Sequence, residues 1–586
     1  MKVILTLSIF LINALGCSPK KNKNPGDPSP LDRADIQPSE QEARSTQESL
    51  DGLSGTSSLR VETFNAQNAN NLFLKLLTEI NKPSETCKTQ SYQKKKFARI
   101  ITREEYIQSI QDTFQIDLQN DRKNLYTSLP VETKTLNFKH LRNSNIMSIE
   151  KLKSFMKTAE IISEKIFNKV KSDMNCGQDS NVCFKSWVQK TLPSLWRKNL
   201  TTNDIEQEIS YYKQIGNDDD SIKQIIQRYL ISPYFLYRTQ FDQQDSKSWE
   251  TATLLSDTLW RGHLDSVLMQ KAQNNKLISQ NDITTEIRRM MNHPQFYQGA
   301  IDWSHSWLGT DQIQTKPTMN INGNSASENQ RKFLSEESGA FLYHLMKTSN
   351  DSVQNIFSAN FTLLPDDLLR TYQFTNGSQE LAVGIPSAFK IAKYPENRAG
   401  LLNQPSIIMN ISSSSHTNIP LRGKHILSEF LCHHLETPEN LVDVISAIKF
   451  DKEETTLNAV KKATSQGSCA ACHSLINGPA GTLEELSPEG FQRNIDDHMK
   501  NIQIPTEVLT TLSGSRHEIR SHKELSETVG RTIDVGACMA LNLFRMVHSR
   551  LETQDDICHI AQTYHQSKEN GDLSLSRLYQ SFLSHP

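Results

Sequence analysis

Residues 468–473 read Ser-Cys-Ala-Ala-Cys-His, two thiols three positions apart with an imidazole directly after them, and nothing else in the chain restricts its fold so tightly. Cys-x-x-Cys-His is the attachment sequence of a c-type haem. The two sulfurs add to the two vinyl groups of one porphyrin, and the adjacent histidine lies beneath the iron as its proximal ligand. With 9 cysteines and 17 histidines in 586 residues, about 0.004 accidental matches are expected. Three plainer readings use the same residues. A structural zinc site needs two more thiolates or imidazoles at short spacing, and no second Cys-x-x-Cys occurs. A thioredoxin-like pair needs a strand before a helix, whereas Asn458 to Gly467 reads as a helix closing at the glycine. The third is a motif retained without its haem. The haem reading assigns Cys469 and Cys472 to attachment of one covalent haem c and His473 to its iron.

The context of the motif agrees with export. Met1-Lys2 and the apolar run Val3 to Leu15 have the length of a signal peptide and are too short to span as a mature helix. Ala14-Leu15-Gly16-Cys17 resembles the box of a bacterial lipoprotein, with leucine one place late, so plain secretion stays open beside lipidation at Cys17. Several acyl chains on Cys17 would anchor the protein stably. Ser18 in place of aspartate, by resemblance to sorted lipoproteins, favours the outer membrane of a Gram-negative envelope, facing the periplasm. Residues 1–16 are therefore expected to be removed. Residues 17–60, rich in Lys, Pro, Ser and acids with few large apolar groups, form a tether that cannot bury enough surface to order. A formal charge of −2 and a pI near 6.8 give no electrostatic case for nucleic acid.

Setting aside Cys17, Cys469 and Cys472 leaves six cysteines, an even number that suits an oxidising compartment. Cys176 and Cys183, across a short polar loop, are the expected disulfide. The pairing of Cys87, Cys432, Cys538 and Cys558 is open, and Cys432 and Cys538 also read as small buried apolar residues.

Helical periodicity dominates the chain. Thr102 and Glu105 have capping-box spacing, with Tyr106, Ile107, Ile110 and Phe114 on one face. Ser221 starts a second helix, stopped by Ser232-Pro233, and Tyr234-Phe235-Leu236-Tyr237 reads as core. Further helical patterns cover 252–272, 282–292, 296–308, 331–346, 423–435, 455–465 and 522–548, whereas 312–330 and 374–396 read as loops. The class is mainly α, with few short strands. The expected modules are 61–150, 151–245, 246–385, a haem module at 386–497, and 498–586.

The order of several weak motifs, taken together, resembles the planctomycete-type cytochrome c domain family: secreted multi-domain proteins, largely of unknown function, built around a c-type haem segment. Thr102-Arg103-Glu104-Glu105-Tyr106 through Asp112 is similar to the family's start. Leu255-Ser256, Leu259-Trp260, Arg289-Met290 and Trp307-Leu308-Gly309 follow in order. Arg398-Ala399-Gly400, Arg422-Gly423-Lys424 and Leu431-Cys432 lead to the haem motif, with Leu483-Glu484 and Gly490 to Arg493 behind it. Where the family has Asp-Pro after the motif, this chain has Asn477-Gly478. Gly478-Pro479 reads either as a plain turn or as a turn supporting His473.

The sixth iron ligand decides what such a haem does. Met499 is the first candidate; Met539 and Met546 sit in an apolar helix and read as core, and His498, His517, His522 and His548 have no selecting spacing. His433-His434 lacks an acidic or cysteine partner at metal spacing. No nucleophile elbow, phosphate loop or dinucleotide fingerprint occurs. Asp218-Asp219-Asp220 and Asp366-Asp367 read as solvated charge and helix N-terminal acids. The leading expectation is an envelope lipoprotein that passes single electrons to a redox partner protein. The alternatives are a haem peroxidase or oxidase, and a surface binding lipoprotein in which haem only stabilises the fold.

Overall fold

The computed structural model describes residues 64–92, 98–142, 144–175, 177–216, 218–239, 247–413, 417–436, 454–496 and 508–584. The expected leader, Cys17, Cys176, His498 and Met499 lie outside the described residues. The fold is mainly α, and among the described residues the strands form only two- and three-stranded sheets.

The first unit grows from the helix Arg103–Phe114. Thr102 and Glu105 form the reciprocal capping box, and Tyr106, Ile107, Ile110 and Phe114 are buried as the spacing predicts. The long helix Ile149–Met174 runs across residue 150 and turns Phe155, Ala159, Ile162, Ile166 and Val170 onto the same core. Asp218, not Ser221, caps the helix Asp219–Leu230; Ser221 donates its N–H to that cap from the first turn. Two short antiparallel strands, Ala98–Ile100 and Tyr237–Thr239, close the unit where the chain enters and leaves.

The second body is a larger core laid down by helices Lys247–Trp260, Gln280–Asn292, Phe296–Leu308, Glu328–Lys347 and Ile533–His548. Close helix crossing is bought by glycine: a Cβ at Gly339 would lie 2.8 Å from the Ile301 Cα. The helix expected over 252–272 breaks after Trp260, because Arg261 and Gly262 take φ of +54° and +87°, and a second helix starts at Ser266. The stretch 522–548 is likewise two helices, His522–Arg531 and Ile533–His548, since Thr532 leaves helical geometry to cap the second.

The two expected loops contain strands. Asn322-Gly323, at φ +52° and +78°, turns a hairpin between Asn320–Ile321 and Asn324–Ser325. Phe361–Pro365 pairs antiparallel with Phe389–Lys393, where Phe389, Ile391 and Ala392 are buried among polar neighbours. Two disulfides lock the larger core. Cys87–Cys558 joins its first and last parts across 471 residues of sequence, and Cys432–Cys538 pins the turn after Ile426–Phe430 to the buried helix Ile533–His548. The open pairing is thus resolved, and Cys432 and Cys538 are bonded rather than merely buried. Among the described residues no helix is long and apolar enough to cross a membrane.

Candidate functional site

The Cys-x-x-Cys-His motif opens the helix Gly467–Thr482. On an α-helix, positions three and four apart share a face. Cys469, Cys472 and His473 therefore form one patch, with Cys469 and His473 buried and Cys472 half-buried. Cys472 is a free thiol, whereas Cys469 is disulfide-bonded, and porphyrin attachment at that sulfur requires the bond to be opened first.

The imidazole is held by a relay. Thr464 donates its hydroxyl to the Val460 carbonyl at 2.7 Å and accepts the Asn477 amide N–H at 3.0 Å. With its nitrogen so engaged, Asn477 turns its carbonyl oxygen to His473 Nδ1, 2.9 Å away. The ring proton is therefore placed on Nδ1, and Nε2 keeps its lone pair. Burial pushes His473 below the usual histidine range, which favours this neutral form. A neutral imidazole, fixed through one nitrogen and bare at the other, is a donor that fits a c-type haem iron, and the two cysteine sulfurs on the same face fit the porphyrin's attachment once the Cys469 disulfide is opened.

The back of the motif helix is packed tightly. It crosses the helix Ile419–His425 so closely that a Cβ on Gly423 would overlap the Ile476 carbonyl, and Gly481 leaves room for Leu457. Gly478 and Pro479 do not form a turn: both lie inside the helix, which continues to Thr482. The support expected of Pro479 comes from Asn477 instead. Its part is visible only once the helix is known to run through residue 477, placing it one turn beyond His473.

Three family models match the chain, each described as a protein of unknown function: PSD3 (DUF1587) over 99–168, PSD4 (DUF1592) over 247–374 and PSCyt3 (DUF1588) over 398–496. These are planctomycete cytochrome c-type domains, and together they take in about half of the sequence. The chain belongs to the planctomycete-type cytochrome c domain family. No curated protein and no solved structure shows a significant match to it. In this cytochrome c-type chain the scattered motifs of the third domain meet behind the haem motif. Arg422, fully buried, donates to the carbonyls of Leu483 at 2.6 Å and Leu486 at 2.9 Å and pairs with Glu484, which Arg493 grips from its other side at 2.9 Å. Arg398 reaches the Asn403 and Gly490 carbonyls. These arginines hold the chain where it leaves the motif helix.

The remaining ligand candidates separate clearly. His522 spends both ring nitrogens, on Asn403 at 3.1 Å and Gln492 at 2.8 Å. Met539 and Met546 are core, as their apolar helix predicts. His433 pairs with Asp534 at 3.1 Å, while His434 is buried and pushed down to about 3 by desolvation. No cluster of three or more metal-binding side chains occurs among the described residues. Cys183 is disulfide-bonded; its expected partner, Cys176, is outside the described residues. Asp366 and Asp367 stand in the first turn of the helix Asp366–Thr371, and Asp219 and Asp220 in that of Asp219–Leu230.

Proposed function

We propose that the protein is an envelope cytochrome carrying one covalent haem c on Cys469 and Cys472, with His473 on the iron, and that it transfers single electrons to a protein partner. The observation that carries this reading is the His473 imidazole, oriented by Asn477 with Nε2 left for a metal, on the same helix face as both cysteines. When bound, the haem supplies a one-electron couple. The protein residues set its terms: Asn477 and Thr464 fix the ring, burial keeps His473 neutral, and Arg422 with Glu484 keeps the motif helix from shifting. The Cys469 disulfide must be reduced before attachment, so loading is expected to depend on a thiol reductant on the exported side.

The reading further places the protein on the periplasmic side of the outer membrane, tethered through lipidated Cys17, with Met499 as the distal ligand. Haem staining of denaturing gels tests attachment. The exported chain should stain, and the Cys469→Ala/Cys472→Ala variant should not. A wild-type peptide around residue 470 at its bare polypeptide mass ends the proposal.

A further inference from the structure

Large apolar side chains left singly in solvent are ordinary, whereas a cluster of them marks a surface that meets a partner or a membrane. Five of the thirteen exposed ones among the described residues gather at the start of the helix Ile149–Met174. They are Ile149 (69% exposed), Leu152 (38%) and Met156 (50%) on the helix, Ile146 (49%) in the turn before it, and Val131 (70%). Ile149, Leu152 and Met156 are spaced three and seven positions apart and share one face, while Phe155, Ala159 and Ile162 turn into the core of the first unit. The loop carrying Val131 is fastened to the same end. Thr133 donates its N–H to Asn145 Oδ1 at 3.0 Å, Asn145 returns its amide to the Thr133 carbonyl at 3.2 Å, and Lys151 Nζ reaches the same Oδ1 at 3.3 Å.

The apolar stripe is edged by cations. Between residues 149 and 157 the helix carries Lys151, Lys153 and Lys157 against Glu150, and Glu160 follows one turn after Met156. Lys153 and Lys157, four and eight positions after Ile149, run along one side of the stripe. The neighbouring charges do not reverse this balance: Glu132 is paired with Arg103 at 2.9 Å, and Lys134 and Lys139 together share the single carboxylate of Asp311. Farther along the helix the lysines are matched one to one, Lys165 by Asp121 and Lys169 by Asp173. The positive excess therefore coincides with the exposed apolar end. A second copy seated face to face would bring these lysines together, so like charge opposes self-pairing, whereas a surface of lipid phosphates over acyl chains suits both features at once. Lysine stems can lie along such a boundary with their ammonium groups at the phosphates.

We infer that this end of the first unit rests on a membrane surface bearing anionic phospholipid, with Ile149, Leu152 and Met156 at the boundary between headgroups and acyl chains and Lys153 and Lys157 on the phosphates. The contact is separate from the haem and from acylation of Cys17. The test uses the chain from Ser18 onward, which keeps every described residue and carries neither the expected leader nor an acyl chain. It is sedimented with vesicles of phosphatidylcholine alone or with about a third phosphatidylglycerol. Saturable binding to the anionic vesicles is expected, weakened by salt. Lys153→Gln/Lys157→Gln should lower the partition coefficient about 30-fold, at about 1 kcal/mol for each lysine. Ile149→Ser/Met156→Ser, both at exposed positions that leave the core intact, should lower it at least about tenfold. Binding to anionic vesicles no stronger than to phosphatidylcholine, or equal binding by both double variants, overturns the assignment. Self-association of the chain that Ile149→Ser/Met156→Ser abolishes, without vesicle binding, overturns it in favour of a second copy.

Discussion

Asn477 is where one side chain decides what the motif can bind. Replacing it with leucine keeps its bulk but releases His473 Nδ1, leaving the ring free to rotate and the Thr464 hydroxyl without its donor. Loss of an orienting partner of this kind weakens metal ligation about 10–100-fold. Asn477→Leu is therefore expected to load haem poorly, and its spectrum should show mixed ligation. Asn477→Asp keeps the contact but adds negative charge, which strengthens the imidazole as a donor and should lower the midpoint potential in a redox titration. An unchanged potential in Asn477→Asp would remove the positioning role. That Cys469, Cys472 and His473 share one helix face follows from their spacing in the sequence. The part of Asn477 does not, because Gly478-Pro479 after it reads as a stop, although the helix continues to Thr482.

Among the elements, the crossing of Ile419–His425 over the motif helix is the tightest joint near the site. Gly423→Ala has no room for its methyl group without moving Ile476, so it should cost about 1–3 kcal/mol. Chemical denaturation of the variant would measure that cost, and a midpoint equal to wild type would show that the crossing yields. Cys538→Ser breaks the bond that pins the turn at Cys432 to the buried helix Ile533–His548. A loss of about 2–5 kcal/mol is expected. Sequence periodicity found helices such as Phe296–Leu308 and Glu328–Lys347, but not Ile149–Met174, Ser180–Trp196 or the motif helix Gly467–Thr482, nor the breaks at Arg261-Gly262 and Thr532, where side-chain hydrophobicity runs on while the backbone turns. The Asn322-Gly323 turn was legible by its residue pair yet hidden in a polar stretch. The pairing of Arg422 with Glu484 and Arg493 belongs to no local pattern, since it forms only when distant segments meet.

At the scale of the molecule, buried histidines govern the response to pH. Burial pushes His140, His305 and His425 down to about 4 and His522 to about 3, as it does His434. A histidine with a depressed folded-state pKa leaves stability intact above about pH 6.5 and removes it as pH falls toward 4, because the unfolded chain takes up the proton first. Glu337 and Glu429, pushed up to about 7 by burial, act in the opposite sense, since their stabilising protonation is lost as pH rises through 7. Five histidines outweigh two carboxyls. The unfolding temperature should be highest near neutrality and fall steeply below about pH 6; a flat profile from pH 8 to 5 contradicts the assignment.

The Cys87–Cys558 bond makes the chain a closed ring of nearly five hundred residues, with Cys432–Cys538 as a chord inside it. A protease that nicks any surface loop between Cys87 and Cys558 therefore opens the circle without dividing the molecule. Such a nick should be silent on a non-reducing gel and appear as two fragments only after thiol treatment. In the exported setting proposed above, where hydrolases are abundant, a haem held on Cys469 and Cys472 would stay on a single covalent body after the first cut.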